Sequence, residues 1–444
     1  MPRIPRRPGP SEKDPVTALL FCFALWLGYL ALEAFRLHCW REAIPLRIAV
    51  TGTRGKSSVV RTLATVLRED GWTVLAKSTG AEAAMILPDG SALRIRRRGR
   101  PSILEQVGAV GFAARLGADA LVAEVMSVHP ENHLAESRRI LKPHLVLVTN
   151  FRVDHLEAHG STKEAVAGVM ALDVPPGARV LVPEGEWEEV FSELVRKQGG
   201  TLTMVPTGEQ VRWEGGHGWG PNLDLVRAAA RLLDVEEGAI EKGIRGVRQD
   251  LGALGCWRYP GEGDGSSWQV VNAFAANDPE STFLAYDGIL GREGEEGAKA
   301  LGKPVGLLSL RGDRGDRSLL WAETLAEGAL SRFSRLYVHG LHANAVVRMI
   351  RSPGGPEVGV IPHSKPGKVM RRVMGGGDPE GREAPGAGGV LFGFGNLGGL
   401  GERMVRHWME VGEPLPLESP GRPPALKDEA AVAGDHNQGG HHGI

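Results

Sequence analysis

Cysteine is nearly missing from this sequence: three in 444 residues, Cys22, Cys39 and Cys256. Three scattered thiols build neither a disulfide framework nor a paired-cysteine metal site, so the main body reads as a protein of a reducing compartment. A surplus of one charge is missing too. The 52 Lys and Arg stand against 53 Asp and Glu, a formal net charge of −1, which argues against a nucleic-acid binder. No internal repeat stands out. What remains is a balanced chain long enough for two or three domains.

One uncharged run breaks the pattern. Val16 to Leu32, "VTALLFCFALWLGYLAL", is about 17 residues, the lower limit for crossing a bilayer. Arg3, Arg6, Arg7 and Lys13 precede it. A cleavable signal shares that outline, but "EAFRLHCW" follows in place of a small-x-small site. Residues 1–45 are therefore expected to be an uncleaved membrane anchor, with a buried core helix as the alternative. The positive-inside rule would leave the front end in the cytoplasm and the bulk outside. Arg36, Arg41 and Arg47 form a competing flank, so charge alone leaves the orientation open. Residues 412–444, rich in proline and glycine and ending "GDHNQGGHHGI", lack the apolar content to pack and read as a disordered tail.

Between these ends, apolar runs alternate with helical stretches: Ile48–Val50, Leu121–Val125, Leu145–Thr149 and Val180–Val182, then Trp268–Val271, Val305–Ser309, Leu336–Val338 and Val390–Phe392. That alternation predicts α/β architecture with parallel sheets. The glycine-bearing stretch "GVRQDLGALGCWRYPGEGDGSS" separates the series and reads as a hinge. The expected division is 46–255 for a central domain and 256–411 for a second, smaller one.

The stretch "RIAVTGTRGKSSVV" runs from strand through turn to helix. Successive backbone N–H groups ahead of a helix N-terminus make an anion cradle. Gly52, Thr53, Arg54 and Gly55 supply the turn, Lys56 a charge for the β- and γ-phosphates, and Ser57 and Ser58 hydroxyls, with Ser57 suited to magnesium. Val50 stands where the strict phosphate-loop motif has its first glycine, so the loop by itself is only moderately specific. Glu124 ends the run Leu121–Val125, near a strand's carboxyl end, where ligands sit in open α/β sheets. In "LVLVTNFRVDHLEAHGS", Asn150, Asp154 and His155 follow another such run. Glu124 is a suitable magnesium ligand and His155 an unusual one; alone, His155 would read as an ordinary loop histidine.

Together, the loop, Glu124 and Asn-x-x-x-Asp-His-x-x-x-His-Gly resemble the Mur ligase superfamily, which includes peptidoglycan precursor ligases and folylpolyglutamate synthase. In that family the Val50 position need not be glycine. The resemblance implies a phosphate-loop central domain and a Rossmann-like C-terminal domain. It also implies ATP and Mg2+ as cofactors, and amide-bond formation through an acyl phosphate. It assigns Asn222 of "GPNLDLVRAAARLLDV" to adenine, Arg258 of "GCWRYP" to the γ-phosphate and Asn272 of "VVNAFAANDPEST" to the ribose region. Asp313, Arg314 and Arg317 of "SLRGDRGDRS" fall near the closed site. The anchor ahead of the loop and the late "LFGFGNLGG" are most similar to the ligase subunits of poly-γ-glutamate synthases. The family's carbamylated lysine is replaced, with Val169 and Met170 at the expected place.

The resemblance implies glutamate and growing poly-γ-glutamate as substrates, small membrane subunits as partners, and catalytic domains on the cytoplasmic face of the cell membrane. Arg94, Arg96, Arg97, Arg98 and Arg100 in "LRIRRRGRPSILEQ" could guide a polyanion, since arginine forks pair well with carboxylates; a solvated basic loop, or one resting on anionic lipid, is the alternative. Two rival readings stand. One is another Mur-type ligase, folylpolyglutamate- or peptidoglycan-like, against which weigh the anchor and the lack of room before Arg47 for a nucleotide-substrate domain. The other is a membrane-tethered phosphate-loop ATPase, which leaves Asn150, Asp154 and His155 unexplained.

Overall fold

The computed structural model of the chain describes residues 15–80, 83–97, 99, 101–207, 219–247, 250–261, 267–290, 302–375 and 388–415. Arg98, Arg100 and most of the expected tail lie outside them.

Helix α1 (Pro15–Glu42) is long and apolar enough to cross a membrane, and none of its most apolar stretch is buried. Only its last turns pack. Leu37 and Trp40 lie against helix α3 (Glu105–Leu116), where Gly111 leaves room for the indole; a Cβ there would stand 2.9 Å from it. The guanidiniums of Arg36 and Arg115 flank the Trp40 ring at 4.9 and 5.8 Å, a cation–π arrangement.

The first sheet draws on β1 (Leu46–Thr51), β2 (Val74–Ser78), β3 (Ala84–Ile86), β4 (Ala92–Arg94), β5 (Ala120–Glu124), β6 (Leu145–Val148), β7 (Arg179–Pro183) and β8 (Thr201–Val205). Their order is β4-β3-β2-β5-β1-β6-β7-β8. All pairs are parallel except the β2–β3–β4 meander at one edge. Near-continuous apolar runs such as Ile48–Val50 are what a parallel strand covered on both faces needs. Helix α2 (Lys56–Glu69) buries Val59, Val60, Leu63, Val66 and Leu67, the helical spacing that packs one face on the sheet. The helix 237–246 crosses α2 closely because residue 243 is glycine: a Cβ there would lie 2.5 Å from Val66 Cα.

The second sheet comprises β9 (Gly255–Pro260), β10 (Ser267–Ala273), β11 (Val305–Ser309), β12 (Arg335–His339), β13 (Glu357–Val360), β14 (Gly389–Phe394) and β15 (Glu413–Pro414). Its order is β13-β12-β11-β14-β10-β9-β15. The strands from β13 to β10 are parallel, and β9 and β15 close the edge antiparallel. The α/β fold expected from the sequence is therefore present in both halves. Two details differ from expectation. Six residues of the expected hinge form strand β9, in which Cys256 and Tyr259 are buried while Arg258 and Pro260 face solvent. The expected tail still contributes β15 before it leaves the described residues.

Candidate active site

The phosphate loop joins β1 to α2 at the carboxyl end of the first sheet. Gly52 and Gly55 take positive φ, 121° and 82°, a region costly for residues with a Cβ. Space demands glycine as well. A Cβ on Gly52 would fall 2.1 Å from Thr149 Oγ1, and one on Gly55 would fall 2.4 Å from Asn222 Nδ2. Asn150 clamps the loop from β6. Its Oδ1 accepts from Arg54 N at 3.1 Å, its Nδ2 donates to Arg54 O at 2.9 Å, and its carbonyl accepts from Thr53 N at 3.1 Å. Asn150 thus shapes the cradle from behind.

Lys56 Nζ folds back to donate to Gly52 O at 2.6 Å, within reach of any anion the loop takes up. Burial pushes its ammonium below the ordinary lysine value against the pull of Glu124. Ser57 Oγ donates to Glu124 Oε2 at 2.8 Å, and Thr79 N donates to the same oxygen at 2.6 Å. Ser57 spends its proton and keeps its lone pairs, the state in which a hydroxyl ligates a cation.

Asp154 and His155 follow on the loop after β6. Burial alone would raise the Asp154 carboxyl, but Arg54, His155 and Arg317 pull it well below the usual carboxylate range. His155 sits at φ 52°. Burial, together with Arg314 and Arg317, outweighs the pull of Asp154 and lowers its pKa to about 4. A neutral imidazole at physiological pH offers a lone pair, as metal ligation requires. Among the described residues no three His, Cys, Asp or Glu side chains converge as a metal cluster. The donor set of Ser57, Glu124 and His155 therefore suits an ion that keeps water and phosphate oxygens in its shell, as magnesium does.

Three cavities meet on this loop. One, of about 180 Å3, lies between Gly55, Asn222, Trp219 and Ala276 and is mainly apolar. A second, of about 400 Å3, runs over Lys56, Ser57 and Glu124 to Arg311 and Asn396 of the second half. A third, of about 180 Å3, holds Lys56, Glu124, Asp154, His155, His133 and His159.

Other expected residues are placed elsewhere. Arg258 projects from strand β9 beside β15, exposed, pairing with Glu413 at 3.1 Å, and it lines none of the three cavities. Asn272 is fully buried beside the first cavity; its Nδ2 donates to Leu251 O at 3.0 Å and Ala253 O at 2.7 Å. Both of its amide hydrogens thus hold the link between the sheets. Asp313 is exposed and pairs with Arg311. Arg314 bridges Asp316 at 2.9 Å and reaches Asp154 at 4.0 Å. Arg94 and Arg96 are exposed, while Arg97 forms a two-pronged pair with Glu105 at 2.7 and 3.0 Å.

Sequence reasoning missed the support behind the third cavity. Asp173, fully buried, accepts from Thr51 Oγ1 at 2.6 Å and Ser137 Oγ at 2.9 Å, and pairs with His133 Nδ1 at 2.9 Å. Rings of His133, His159 and His155 follow edge to face at 5.7 and 5.8 Å. Glu136 accepts from the Met126 and Ser127 backbone N–H at 3.0 and 2.9 Å and so fixes the turn after Glu124.

This architecture and this loop define a Mur-ligase-type α/β protein. The sequence profile described as Mur ligase middle domain matches residues 50–184, and the poly-gamma-glutamate synthase CapB C-terminal domain profile matches residues 258–411. Residues 50–184 are thus similar to a Mur ligase middle domain, and residues 258–411 to a CapB C-terminal domain. It is 28% identical over 310 residues to the capsule biosynthesis protein CapB of Bacillus anthracis, covering 68% of this chain and 64% of that protein. The chain thus spans less than two thirds of that relative's length. It is 26% identical over 311 residues to PGA synthase CapB of Bacillus subtilis (strain 168), covering 68% and 77%. In fold it resembles Escherichia coli FolC solved with DHPP and ADP: TM-score 0.58 at 19% identity, over 87% of this chain and 97% of that one.

Proposed function

We propose that the protein is an ATP-dependent acid–amino-acid ligase that activates a γ-carboxylate as an acyl phosphate and joins glutamate to it, extending poly-γ-glutamate. One observation carries this reading. Lys56 and Glu124 line two cavities at once, one with Ser57 and the other with His155, in a chain whose second half matches the CapB C-terminal profile.

The chemistry follows from the parts. A carboxylate is a poor acylating agent because its leaving group is oxide; transfer of the γ-phosphoryl makes the leaving group phosphate. Asn222 and the apolar cavity beside Gly55 receive the adenine. The loop N–H groups and Lys56 neutralise charge as the phosphoryl moves, since that chemistry rests on positioning and electrostatics. Magnesium, held by Ser57, Glu124 and His155, would add Lewis-acid stabilisation of the phosphate oxygens. The incoming amine attacks the activated carbonyl in the histidine-lined cavity. The second half, tied down through Arg317 and Arg314, keeps water from the reactive carbonyl. Arg258 joins the site only if the halves rotate, because in the present arrangement it faces Glu413.

Helix α1 anchors the enzyme in the cell membrane with its catalytic halves on the ATP-bearing cytoplasmic side. Its exposed apolar surface suits small membrane subunits of a synthase complex. The test is incubation of membranes with labelled glutamate and ATP, comparing the native chain with Lys56→Ala. A γ-linked polymer is expected from the native chain alone. ADP release that does not depend on glutamate, with no polymer, would instead identify an ATPase.

A further inference from the structure

A further cavity lies away from the phosphate loop. About 620 Å3 in volume, it opens at the other end of the first sheet, where β1, β6 and β7 begin, with Leu46, Leu145 and Arg179 in its wall. Its charge is one-sided. Arg138, Lys142, His144 and Arg179 line it with Leu232 and Leu233, and no carboxylate does. Arg138 Nη2 is buried there without a hydrogen-bond partner, while Nε donates to Leu172 O at 3.2 Å. Lys142 and Arg179 are exposed, and no described residue makes an ion pair with either. In a chain of net charge −1, a concave site with three permanent cations and no anion lacks a counter-ion.

Its position indicates which one. The segment supplying Arg138, Lys142 and His144 is stitched to the foot of α1. Arg41 Nη1 donates to Arg139 O at 2.6 Å, and Arg47 Nε donates to Leu141 O and Lys142 O at 3.1 and 3.2 Å. Arg47 Nη1 returns to Ile44 O at 3.0 Å. Helix α1 is exposed as far as Arg36, uncharged from Val16 to Leu32, and packed through Leu37 and Trp40 near its end. The seven residues from Arg36 to Glu42 rise about 10 Å at 1.5 Å each, which carries the foot of α1 a few ångströms past a headgroup layer roughly 6 Å deep. The cavity therefore opens close to the membrane surface once α1 is inserted, within reach of headgroups.

We propose that this cavity binds the phosphate of an anionic phospholipid headgroup, with Arg138, Lys142 and Arg179 as its cationic contacts and Leu232 and Leu233 against the start of the acyl chains. The proposal rests on α1 being a membrane anchor. It goes beyond the ligase reading because the site sits across the sheet from the phosphate loop. Occupation would hold the strand-start end toward the bilayer and the catalytic end away from it.

Native mass spectrometry of the full chain in detergent, titrated with phosphatidylglycerol and with phosphatidylcholine, tests this. Each Lys or Arg near an anionic lipid surface contributes on the order of a fivefold preference, so retention of phosphatidylglycerol at least tenfold over phosphatidylcholine is expected. Arg138→Ser/Lys142→Ser/Arg179→Ser should lose that preference, whereas Arg348→Ser/Lys368→Ser, at exposed positions of the second half, should keep it. If the triple variant does not fold, Lys142→Ser/Arg179→Ser, both at exposed positions, carries the test. Equal retention in native and variant chains overturns the proposal. Displacement of the lipid by inorganic phosphate at equal concentration identifies a free-anion site and overturns it too. Resistance of the chain to alkaline carbonate extraction reports the anchor separately, so loss of the anchor and loss of the headgroup site are distinguishable.

Discussion

Arg317 Nη2 donates to Asp154 Oδ1 at 2.7 Å and to Oδ2 at 3.0 Å, joining the helix 315–326 of the second half to the loop after β6. Arg54 of the phosphate loop meets the same carboxylate at 3.1 Å and reaches Asp278 at 2.9 Å. The loop that cradles phosphate and the contact that joins the halves thus share one buried acid. Removing one member of such a pair leaves the other underpaired, although Arg54 still neutralises Asp154. Arg317→Ala should cost about 1–3 kcal/mol and lower ligase turnover more than tenfold. Small-angle scattering should show the halves further apart. Unchanged dimensions and turnover would remove the coupling.

The phosphate loop makes a sharper demand. At Gly52 a methyl group meets Thr149 Oγ1 and the Thr149 backbone N, at 2.1 and 2.9 Å, on a backbone with φ 121°. Neither neighbour yields, because Thr149 N is itself bonded to Thr51 O at 3.0 Å. Gly52→Ala should therefore weaken nucleotide binding about 100-fold, equivalent to roughly 3 kcal/mol, with the second sheet intact. Isothermal titration with a non-hydrolysable ATP analogue measures this, and wild-type affinity would contradict it.

Arg94 and Arg96 stand exposed while Arg97 is occupied by Glu105, so the first two remain for a polyanion. The double variant Arg94→Ser/Arg96→Ser should shorten the polymer while leaving ATP affinity within about twofold, because these two residues lie on and just after β4, at the far edge of the sheet from the loop. Polymer length by gel sizing decides it; unaltered length at matched turnover rules out a guiding role.

Much of this was legible in the chain, and the reason is local. The run Ile48–Val50, the two glycines and the helical spacing of Val59, Val60 and Leu63 each describe their own few residues. Strand, turn and helix could be read without knowing what they touch. Asn150 and Glu124 were found because each follows such a run. Asp173 was invisible: it serves Thr51 from 122 residues away and His133 from 40, and no spacing encodes that. Strand β9 was read as hinge because glycines flank it, whereas its pairing with β10 depends on burial of Cys256 and Tyr259. The basic cavity escaped for the same reason, since Lys142 and Arg179 meet only through the parallel register of β6 and β7.

The crossing of α2 by the helix 237–246 gives a stability prediction separate from chemistry. Gly243 touches the Val66 backbone, with Cα 2.5 Å and N 2.8 Å from any added Cβ. Backbone cannot move aside as a side chain can. Gly243→Ala should separate the helices and destabilise the first half by about 1–3 kcal/mol, the range for overpacking, despite the better helix propensity of alanine. Thermal unfolding in detergent should register a drop of several degrees; a rise would mean that propensity outweighs packing here.

His133 and Asp173 supply the pH dependence. Burial alone would lower the His133 pKa, but the charge and hydrogen bond of Asp173 outweigh it, and the folded value lies above the ordinary histidine value. A group whose folded pKa is raised stabilises the fold fully below its unfolded value, about 6.5, and loses that contribution as pH rises through the folded value. Asp173 stays committed to Thr51 and Ser137 throughout, so the loss falls on the imidazolium. His133→Gln keeps a polar side chain without the titration. Its destabilisation relative to the native chain should be largest at pH 6, about 3 kcal/mol as for a broken buried ion pair, and should shrink toward pH 9 as the native His133 loses its proton. Urea unfolding of both chains at the two pH values measures the gap. A gap of equal size at pH 6 and pH 9 would show that His133 contributes through packing alone, because only a charged imidazolium gives a difference that disappears with its proton.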